Sequence, residues 1–135
     1  MQIILIVGLP GAGKTTVAMG LYYATEVETQ VVDDIRDLHQ LPNPGECDFL
    51  IITDPHLCAE STQYGAAQIL EAKYPGCHIA WHFFENNPAK CFRNVEWRNA
   101  IYKEKRIISK ASLEALSKHY SVPHGYTQFP VWSGD

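Results

Sequence analysis

Residues 8–15 carry the pattern Gly-x-x-x-x-Gly-Lys-Thr, which is the pattern of a phosphate-binding loop, or P-loop. Glycines let the backbone curl so that successive N–H groups point at one phosphate, and a helix beginning near Gly13 directs its positive dipole end at the same oxygens. Lys14 would then reach the β- and γ-phosphates of a nucleotide, while the Thr15 hydroxyl would bind Mg²⁺. The sequence therefore predicts a nucleotide site with these contact residues: Gly8, Leu9, Pro10, Gly11, Ala12, Gly13, Lys14, Thr15 and Thr16.

A second set of chemical groups follows the short apolar stretch 30–32. Asp33, Asp34 and Arg36 come directly after it. Ligands of open parallel sheets bind at the carboxyl ends of the strands, so we expect these side chains to face the glycine-rich loop. A carboxylate there can take the proton of an attacking hydroxyl, and Arg36 can hold an anionic acceptor. One aspartate could instead cap a helix over residues 35–38, which leaves the other for chemistry.

A third carboxylate, Asp54, closes the apolar run 49–53. A carboxylate at the end of a buried strand is placed to hold Mg²⁺ through water, as in the Walker B arrangement. Asp54 could equally serve only to start the next helix, with Pro55 early in it. The sequence leaves both interpretations open.

A basic segment lies late in the chain, between residues 90 and 110. The whole chain has a net charge of −4, whereas this segment holds seven basic residues and two acidic ones. In a nucleotide-binding protein we interpret it as an electropositive helical lid over the phosphates rather than a solvated helix face. Arg93 and Arg98 are five positions apart, so a break in the helix near Trp97 would be needed for both to reach one phosphate. Trp97 itself is expected in the core, with stacking on a base as the alternative.

The elements that must position these groups alternate between strand and helix. This order predicts a single domain with a three-layer α/β fold and a mainly parallel sheet of about five strands. The expected strands are residues 2–7, 30–32, 49–53, 78–85 and 127–132, and the expected helices are residues 16–23, 60–74, a segment starting near 88, and 109–120. Tyr64, Ala67, Leu70 and Tyr74 are predicted to share the buried face of the second long helix.

Composition limits the class of protein and the compartment in which we expect it. No apolar run is long enough to span a membrane, and the first strand lacks the basic leader of a signal peptide. The four cysteines form no Cys-x-x-Cys pair, which favours reduced thiols in a cytoplasm over a zinc site. The overall acidity argues against tight, sequence-independent binding of duplex DNA, although the basic segment could supply a local contact.

The motifs also limit the activities that we expect of a nucleotide-binding protein. A GTPase should carry Asn-Lys-x-Asp for guanine, and the chain has no such stretch. Motor and transporter ATPases need elements that a chain of 135 residues can hardly hold. The remaining interpretation is a small phosphotransferase that moves the γ-phosphate of ATP with Mg²⁺ as cofactor.

The chain resembles the kinase domain of phage polynucleotide kinases and the small P-loop kinases related to them. The resemblance covers most of the chain and is carried by GLPGAGKT at residue 8, DDIR at 33, LIITD at 50, FRN with a later Arg at 92–98, and the helix ending in SKHY at 120. It implies that Asp33 is the general base and that Arg36 binds the acceptor phosphate. It also implies that Arg93 and Arg98 are lid arginines, with Arg106 as a substitute for Arg98.

The resemblance further implies a hydroxyl in nucleic acid as the acceptor. A compact enzyme of this type is similar to 5-hydroxymethyluracil DNA kinases, so the favoured acceptor is that base in DNA, followed by a polynucleotide 5′-hydroxyl; a phage enzyme of this kind would act in the host cytoplasm. A base within duplex DNA must be flipped out into an aromatic pocket. Candidates for its wall are Tyr22, Tyr64, Trp81 and Trp97. The alternatives are a small-molecule kinase, a non-catalytic ATP-binding regulator and a plain ATPase.

Overall fold

The computed structural model describes residues 1–35, 40–102 and 108–132. Ten elements follow one another in the described chain. They are β1 (Gln2–Val7), α1 (Lys14–Ala24), β2 (Thr29–Val32), β3 (Phe49–Ile52), a 3₁₀ helix (Pro55–Cys58), α2 (Glu60–Lys73), β4 (His78–Phe84), α3 (Pro88–Tyr102), α4 (Lys110–His119) and β5 (Gln128–Phe129).

The five strands form one sheet in the order β2-β3-β1-β4-β5, and every neighbouring pair is parallel. β1 is central because its sequence, QIILIV, is apolar and largely β-branched, as suits a strand covered on both faces. Ile3, Leu5 and Val7 on one face and Ile6 on the other are all buried. The α/β class with a five-stranded parallel sheet is thus confirmed.

Helices cover both faces of the sheet. On β4, Trp81 lines a cavity together with Gln63 of α2, whereas the next residue, His82, lines another together with Val17 of α1. Successive side chains of a strand point to opposite faces. Consequently α1 and α2 lie on opposite sides of the sheet, which gives three layers.

Two helices differ from the sequence prediction in the faces they bury. In α2 the buried residues are Gln63, Ala66 and Leu70, whereas Tyr64 is 67% exposed, so its predicted inward position is wrong. The helix turns Gln63 inward because its amide nitrogen donates to the carbonyls of Leu57 and Ser121, at 2.9 and 2.8 Å. A polar residue with its hydrogen bonds satisfied can occupy a buried position.

The break expected near Trp97 is absent, because α3 runs without interruption from Pro88 to Tyr102. Trp97 is 37% exposed and makes an edge-to-face contact with Trp132, with ring centroids 5.9 Å apart. Its predicted burial in the core is therefore wrong. The helix predicted over residues 35–38 and the side chains of Arg36 and Arg106 lie outside the described residues.

Other boundaries agree within one or two positions. Ser109 caps α4, as predicted, and its hydroxyl accepts a hydrogen bond from the Ser112 N–H at 3.1 Å. The last strand is shorter than predicted, since only Gln128–Phe129 pairs with β4. Within the described part of the chain, each helix is too short or too polar to cross a lipid bilayer.

Candidate functional site

The glycine-rich loop connects the carboxyl end of β1 to the first turn of α1. Two of its glycines have positive φ angles, 88° at Gly11 and 111° at Gly13. A Cβ at Gly11 would lie 2.4 Å from the carbonyl oxygen of Cys91, which leaves no room for a side chain. α1 begins at Lys14 with no side-chain cap on its first N–H groups. These groups are therefore offered to a ligand at the amino end of the helix.

Lys14 is buried in this loop. Its Nζ atom donates hydrogen bonds to the carbonyl oxygens of Gly8 and Leu9, at 2.7 and 3.1 Å. The ammonium group is therefore held over the loop by its own backbone. Its positive charge therefore lies within the loop.

The loop forms one wall of a cavity of about 670 Å³. Three strands end at this cavity, and each contributes polar side chains: Lys14 and Thr15 follow β1, Asp33 and Asp34 follow β2, and Thr53 and Asp54 follow β3. Its lining residues are Pro10, Gly11, Gly13, Lys14, Thr15, Asp33, Asp34, Gln40, Thr53, Asp54, Pro55, His56, Arg98 and Ile108. The cavity thus brings cationic groups and carboxylates to the same end of the sheet, as the strand order requires.

Asp54 is completely buried at the floor of this cavity. Its Oδ1 atom accepts a hydrogen bond from the His56 N–H at 2.8 Å and lies 2.8 Å from His56 Nδ1, while Oδ2 accepts from the Ile35 N–H at 3.1 Å. Asp54 therefore caps the 3₁₀ helix and also lines the cavity. Its bond to Ile35 ties the ends of β2 and β3 together, directly behind Asp33 and Asp34.

A polar contact from α3 holds the glycine-rich loop in place. Asn94 is 6% exposed, and its Nδ2 atom donates to the carbonyl oxygens of Gly11 and Trp132, at 2.9 and 2.5 Å. The Trp132 N–H in turn donates to the Ala12 carbonyl at 2.9 Å. We call Asn94 and Trp132 the loop latch. It joins α3 and the segment after β5 to the backbone of the loop.

A smaller cavity of about 250 Å³ adjoins the larger one, and both are lined by Gly13. Thr16 lies here rather than in the larger cavity, and Phe84, Phe129 and Trp132 supply aromatic walls. The His82 ring stacks on Phe129 with centroids 4.1 Å apart and an interplanar angle of 5°. Burial lowers the pKa of His82, so its imidazole is neutral near pH 7.

The predicted arginines are not all brought to the cavity. Arg98 lines it, whereas Arg93 is exposed and is not among its lining residues. Two residues five positions apart on a continuous helix are rotated about its axis by about 140° relative to each other. The side chains of Arg93 and Arg98 therefore leave α3 on different sides. Arg98 also lies over the Trp132 ring, with its guanidinium carbon 5.9 Å from the ring centroid.

The carboxylates do not converge into a preformed metal centre. Within the described ranges, no three His, Cys, Asp or Glu side chains are grouped closely enough to hold a metal ion. The two predicted metal ligands, Thr15 and Asp54, both line the larger cavity. Thr15 and Asp54 could hold Mg²⁺ together with phosphates, because Mg²⁺ usually keeps several waters and binds through one or two protein groups.

Sequence reasoning missed the latch residues. Asn94 lies in the FRN stretch of the resemblance but was given no role of its own, because an amide within a helix has no typical spacing relative to a loop 83 positions away. His56, Gln40 and Ile108 also line the larger cavity and were not singled out. Pro55 and His56 could have been found from their position directly after Asp54.

Comparison with known proteins places the chain in a family. No protein-family model matches it. The chain is 34% identical over 103 residues to "Uncharacterized protein R277" of Acanthamoeba polyphaga mimivirus, and the match covers 73% of each chain. The chain belongs to the family of this mimivirus protein. The crystal structure of APE1195 is also similar, with a TM-score of 0.58 over 96% of this chain and 83% of that one. At 15% identity this second likeness concerns the fold alone.

Proposed function

We propose that the protein is an ATP-dependent kinase of the P-loop type that transfers the γ-phosphoryl group of ATP to a hydroxyl group. One observation carries the proposal: a single cavity of about 670 Å³ is lined by Lys14 and Thr15, which follow β1, and by Asp33, which follows β2 at the same end of the sheet. A triphosphate bound to the loop would place its last phosphate toward this carboxylate. A hydroxyl entering between them would meet a base and a phosphoryl donor together.

Each side chain has a definite task in this proposal. Loop N–H groups and Lys14 bind the phosphates and neutralise charge on the transferred group. Asp33 is exposed at the cavity edge, where it accepts the proton of the incoming hydroxyl. Arg98 compensates charge on the phosphoryl group from the α3 side. Arg93 remains a predicted anion ligand that is not among the lining residues, and Arg36, also predicted to bind an anion, lies outside the described residues.

Mg²⁺ fits the cavity through Thr15 and Asp54. The Asp54 carboxylate already accepts hydrogen bonds on both oxygens, so contact through water suits it better than direct ligation. When bound, Mg²⁺ would draw negative charge from the phosphate oxygens. Thr15 is exposed in the first turn of α1.

The smaller cavity beside Gly13 supports a nucleotide rather than a simple phosphate. Its stacked His82 and Phe129 rings and the nearby Trp132 offer flat apolar surfaces next to the loop. A purine base joined to phosphates in the loop could lie against them. Because the His82 imidazole is neutral, it would not repel the N–H groups of a bound base.

We propose a nucleic-acid hydroxyl as the acceptor, with the hydroxymethyl group of 5-hydroxymethyluracil in DNA ahead of a polynucleotide 5′-hydroxyl. The support is the resemblance to phage polynucleotide kinases and related small kinases, together with the basic residues from Lys90 to Lys110. These residues would offset the repulsion between the cavity carboxylates and a DNA backbone. Such an enzyme would act in the cytoplasm of the cell that makes it.

The test is transfer of labelled phosphate from γ-labelled ATP to a set of acceptors. The set contains DNA with 5-hydroxymethyluracil, unmodified oligonucleotides with a free 5′-hydroxyl, and free nucleosides and nucleotides. We expect label on the modified DNA, with a loss of about 100-fold or more in Asp33→Asn. Asp48→Asn is the matched control, because Asp48 is also exposed but precedes β3 at the opposite end of the sheet.

Three results would contradict the proposal in different ways. Label on free nucleosides but not on DNA would keep the kinase and replace its acceptor. Phosphate release at the same rate with and without acceptors would indicate a plain ATPase. Near-normal transfer by Asp33→Asn would show that Asp33 is not the base.

A further inference from the structure

A separate cavity of about 290 Å³ lies on the other face of the sheet, between α2, β4 and the segment after α4. Three aromatic side chains line it: Tyr64 from α2, Trp81 from β4 and Tyr126 from the segment before β5. We call it the aromatic cavity. It shares no lining residue with the cavity at the glycine-rich loop, so a group bound here is not in line for phosphate transfer.

Two of these rings rest on the same buried side chain. Phe83 is 1% exposed; it stacks against Trp81 with centroids 5.7 Å apart and meets Tyr126 edge-on at 5.1 Å. Trp81 and Tyr126 are therefore held in place before any ligand arrives. Rings fixed in this way bind a ligand without a large loss of side-chain entropy.

The polar groups of the cavity favour a positive ligand. Among the described residues that line it, Glu60 is the charged one, and none is a lysine, arginine or histidine. Gln63 is 5% exposed, and its amide nitrogen uses both protons on the carbonyls of Leu57 and Ser121. Its Oε1 atom accepts no hydrogen bond from the described residues. The Gln63 side chain thus presents a hydrogen-bond acceptor beside the Glu60 carboxylate and the three aromatic side chains.

We propose that the aromatic cavity binds an organic cation, an alkylammonium group of the size of trimethylammonium. The faces of Trp and Tyr rings attract such cations. Quaternary ammonium groups are accordingly bound by cages of aromatic rings. Glu60 adds an opposite charge, and Gln63 Oε1 can accept an N–H where the cation has one. A nucleobase fits less well, because its attached phosphates would be repelled by Glu60.

The proposal is tested by isothermal titration calorimetry of the full chain with choline. The comparison ligand is 3,3-dimethyl-1-butanol, which has the same shape as choline but no charge. We expect saturable choline binding and a neutral isostere that binds about tenfold more weakly or less. Equal affinity for the two ligands would overturn the proposal, as would the absence of saturable choline binding.

Variants assign the binding to this cavity. Trp81→Leu and Glu60→Gln should each weaken choline binding at least about fivefold, since each removes one attraction for the cation. Tyr23→Leu is the matched control, because Tyr23 is 78% exposed on α1, outside the aromatic cavity. If Trp81→Leu does not fold, Tyr126→Leu and Glu60→Gln keep the test intact. Unchanged affinity in the folded variants would overturn the assignment.

The source of the cation is settled by a third set of titrations. Peptides with trimethyl-lysine or unmodified lysine are compared with free choline and with thymidine. Tighter binding of the trimethyl-lysine peptide would support the proposal and assign the cation to a protein side chain. Tighter binding of choline would support it and assign a free small molecule. Preference for thymidine over all three would overturn it in favour of a base site.

Discussion

Gly11 shows at a single position why the loop needs glycine. Its φ of 88° lies in the left-handed region, and its missing Cβ leaves space for the Cys91 carbonyl at the start of α3. Gly13 is constrained in the same way, since a Cβ there would lie 2.7 Å from the Cβ of Trp132. The loop conformation therefore depends on close backbone approach from two distant segments as well as on turn geometry.

We predict that Gly11→Ala lowers the free energy of unfolding by more than about 2 kcal/mol, because a positive φ and a contact with backbone both oppose the methyl group. Gly20→Ala is the matched control: Gly20 lies within α1, and a Cβ there would meet nothing within 4 Å. Alanine at position 20 should stabilise the protein by about 0.5–1 kcal/mol through helix propensity. Urea unfolding of both variants measures the difference. Equal destabilisation by the two would contradict the crowding at Gly11.

Spacing in the sequence was enough to predict the residues around Lys14. The glycines, the lysine and the threonine lie on one local backbone path, so their place in the loop can be predicted from eight consecutive letters, while their roles stay predictions. Asp33 and Asp54 were predicted from a rule about strand ends, and both line the same cavity. Asn94 could not be predicted, because its function depends on which carbonyls the tertiary fold brings to it.

At the scale of elements, α3 is joined to the glycine-rich loop. Asn94 donates to Gly11 and Trp132, and the Cys91 carbonyl lies against Gly11. Arg98 lines the larger cavity from the same helix. A displacement of α3 would therefore change the loop and the position of Arg98 together. The first part of the segment predicted to be a basic lid is thus attached to the loop through the neutral amide of Asn94.

We predict that Asn94→Asp destabilises the protein by on the order of 2–4 kcal/mol, because a carboxylate has no proton to donate and would face two carbonyl oxygens. Gln68→Glu, on the exposed side of α2, is the control for the same amide-to-acid change. Thermal unfolding of both proteins gives the comparison. If the two variants lose the same stability, the loop latch does not contribute.

The sequence predicted the positions of the helices better than it predicted which side of each helix is buried. Apolar spacing placed Tyr64 inward, but the packed face of α2 is centred on Gln63, Ala66 and Leu70. A pattern of apolar letters cannot reveal a buried glutamine whose hydrogen bonds are satisfied by distant carbonyls. In α3 a break was expected in order to bring two arginines together, but the helix is continuous, and no proline or glycine follows Pro88 within it to interrupt it.

At the scale of the whole molecule, the two-sided core encloses reduced thiols. Burial raises the pKa of Cys58 from 9.0 to about 11, an effect that nearby Lys14 only partly offsets. Burial likewise raises the pKa of Cys91 from 9.0 to about 11. The folded chain therefore keeps both thiols neutral at a pH where the unfolded chain has lost their protons.

We predict that stability falls as the pH rises from about 9 to about 11. In this window the unfolded chain binds fewer protons than the folded one, so the free energy of unfolding decreases with pH. For Cys58 the loss is on the order of 2–3 kcal/mol. A double variant with Cys58→Ala and Cys91→Ala should be less stable at pH 8 but have a flatter profile. Equal slopes in denaturant unfolding across this range would contradict the prediction.

The hydrogen bond from Trp132 to Ala12 has a consequence for synthesis of the chain. Residues 8–13 leave the ribosome well before Trp132, the residue whose N–H bonds to their backbone. Contacts between such distant positions form late, since a large part of the chain must be ordered first. A nascent chain would therefore carry the glycine-rich loop in an unfinished form until Trp132 has been synthesised and has reached it.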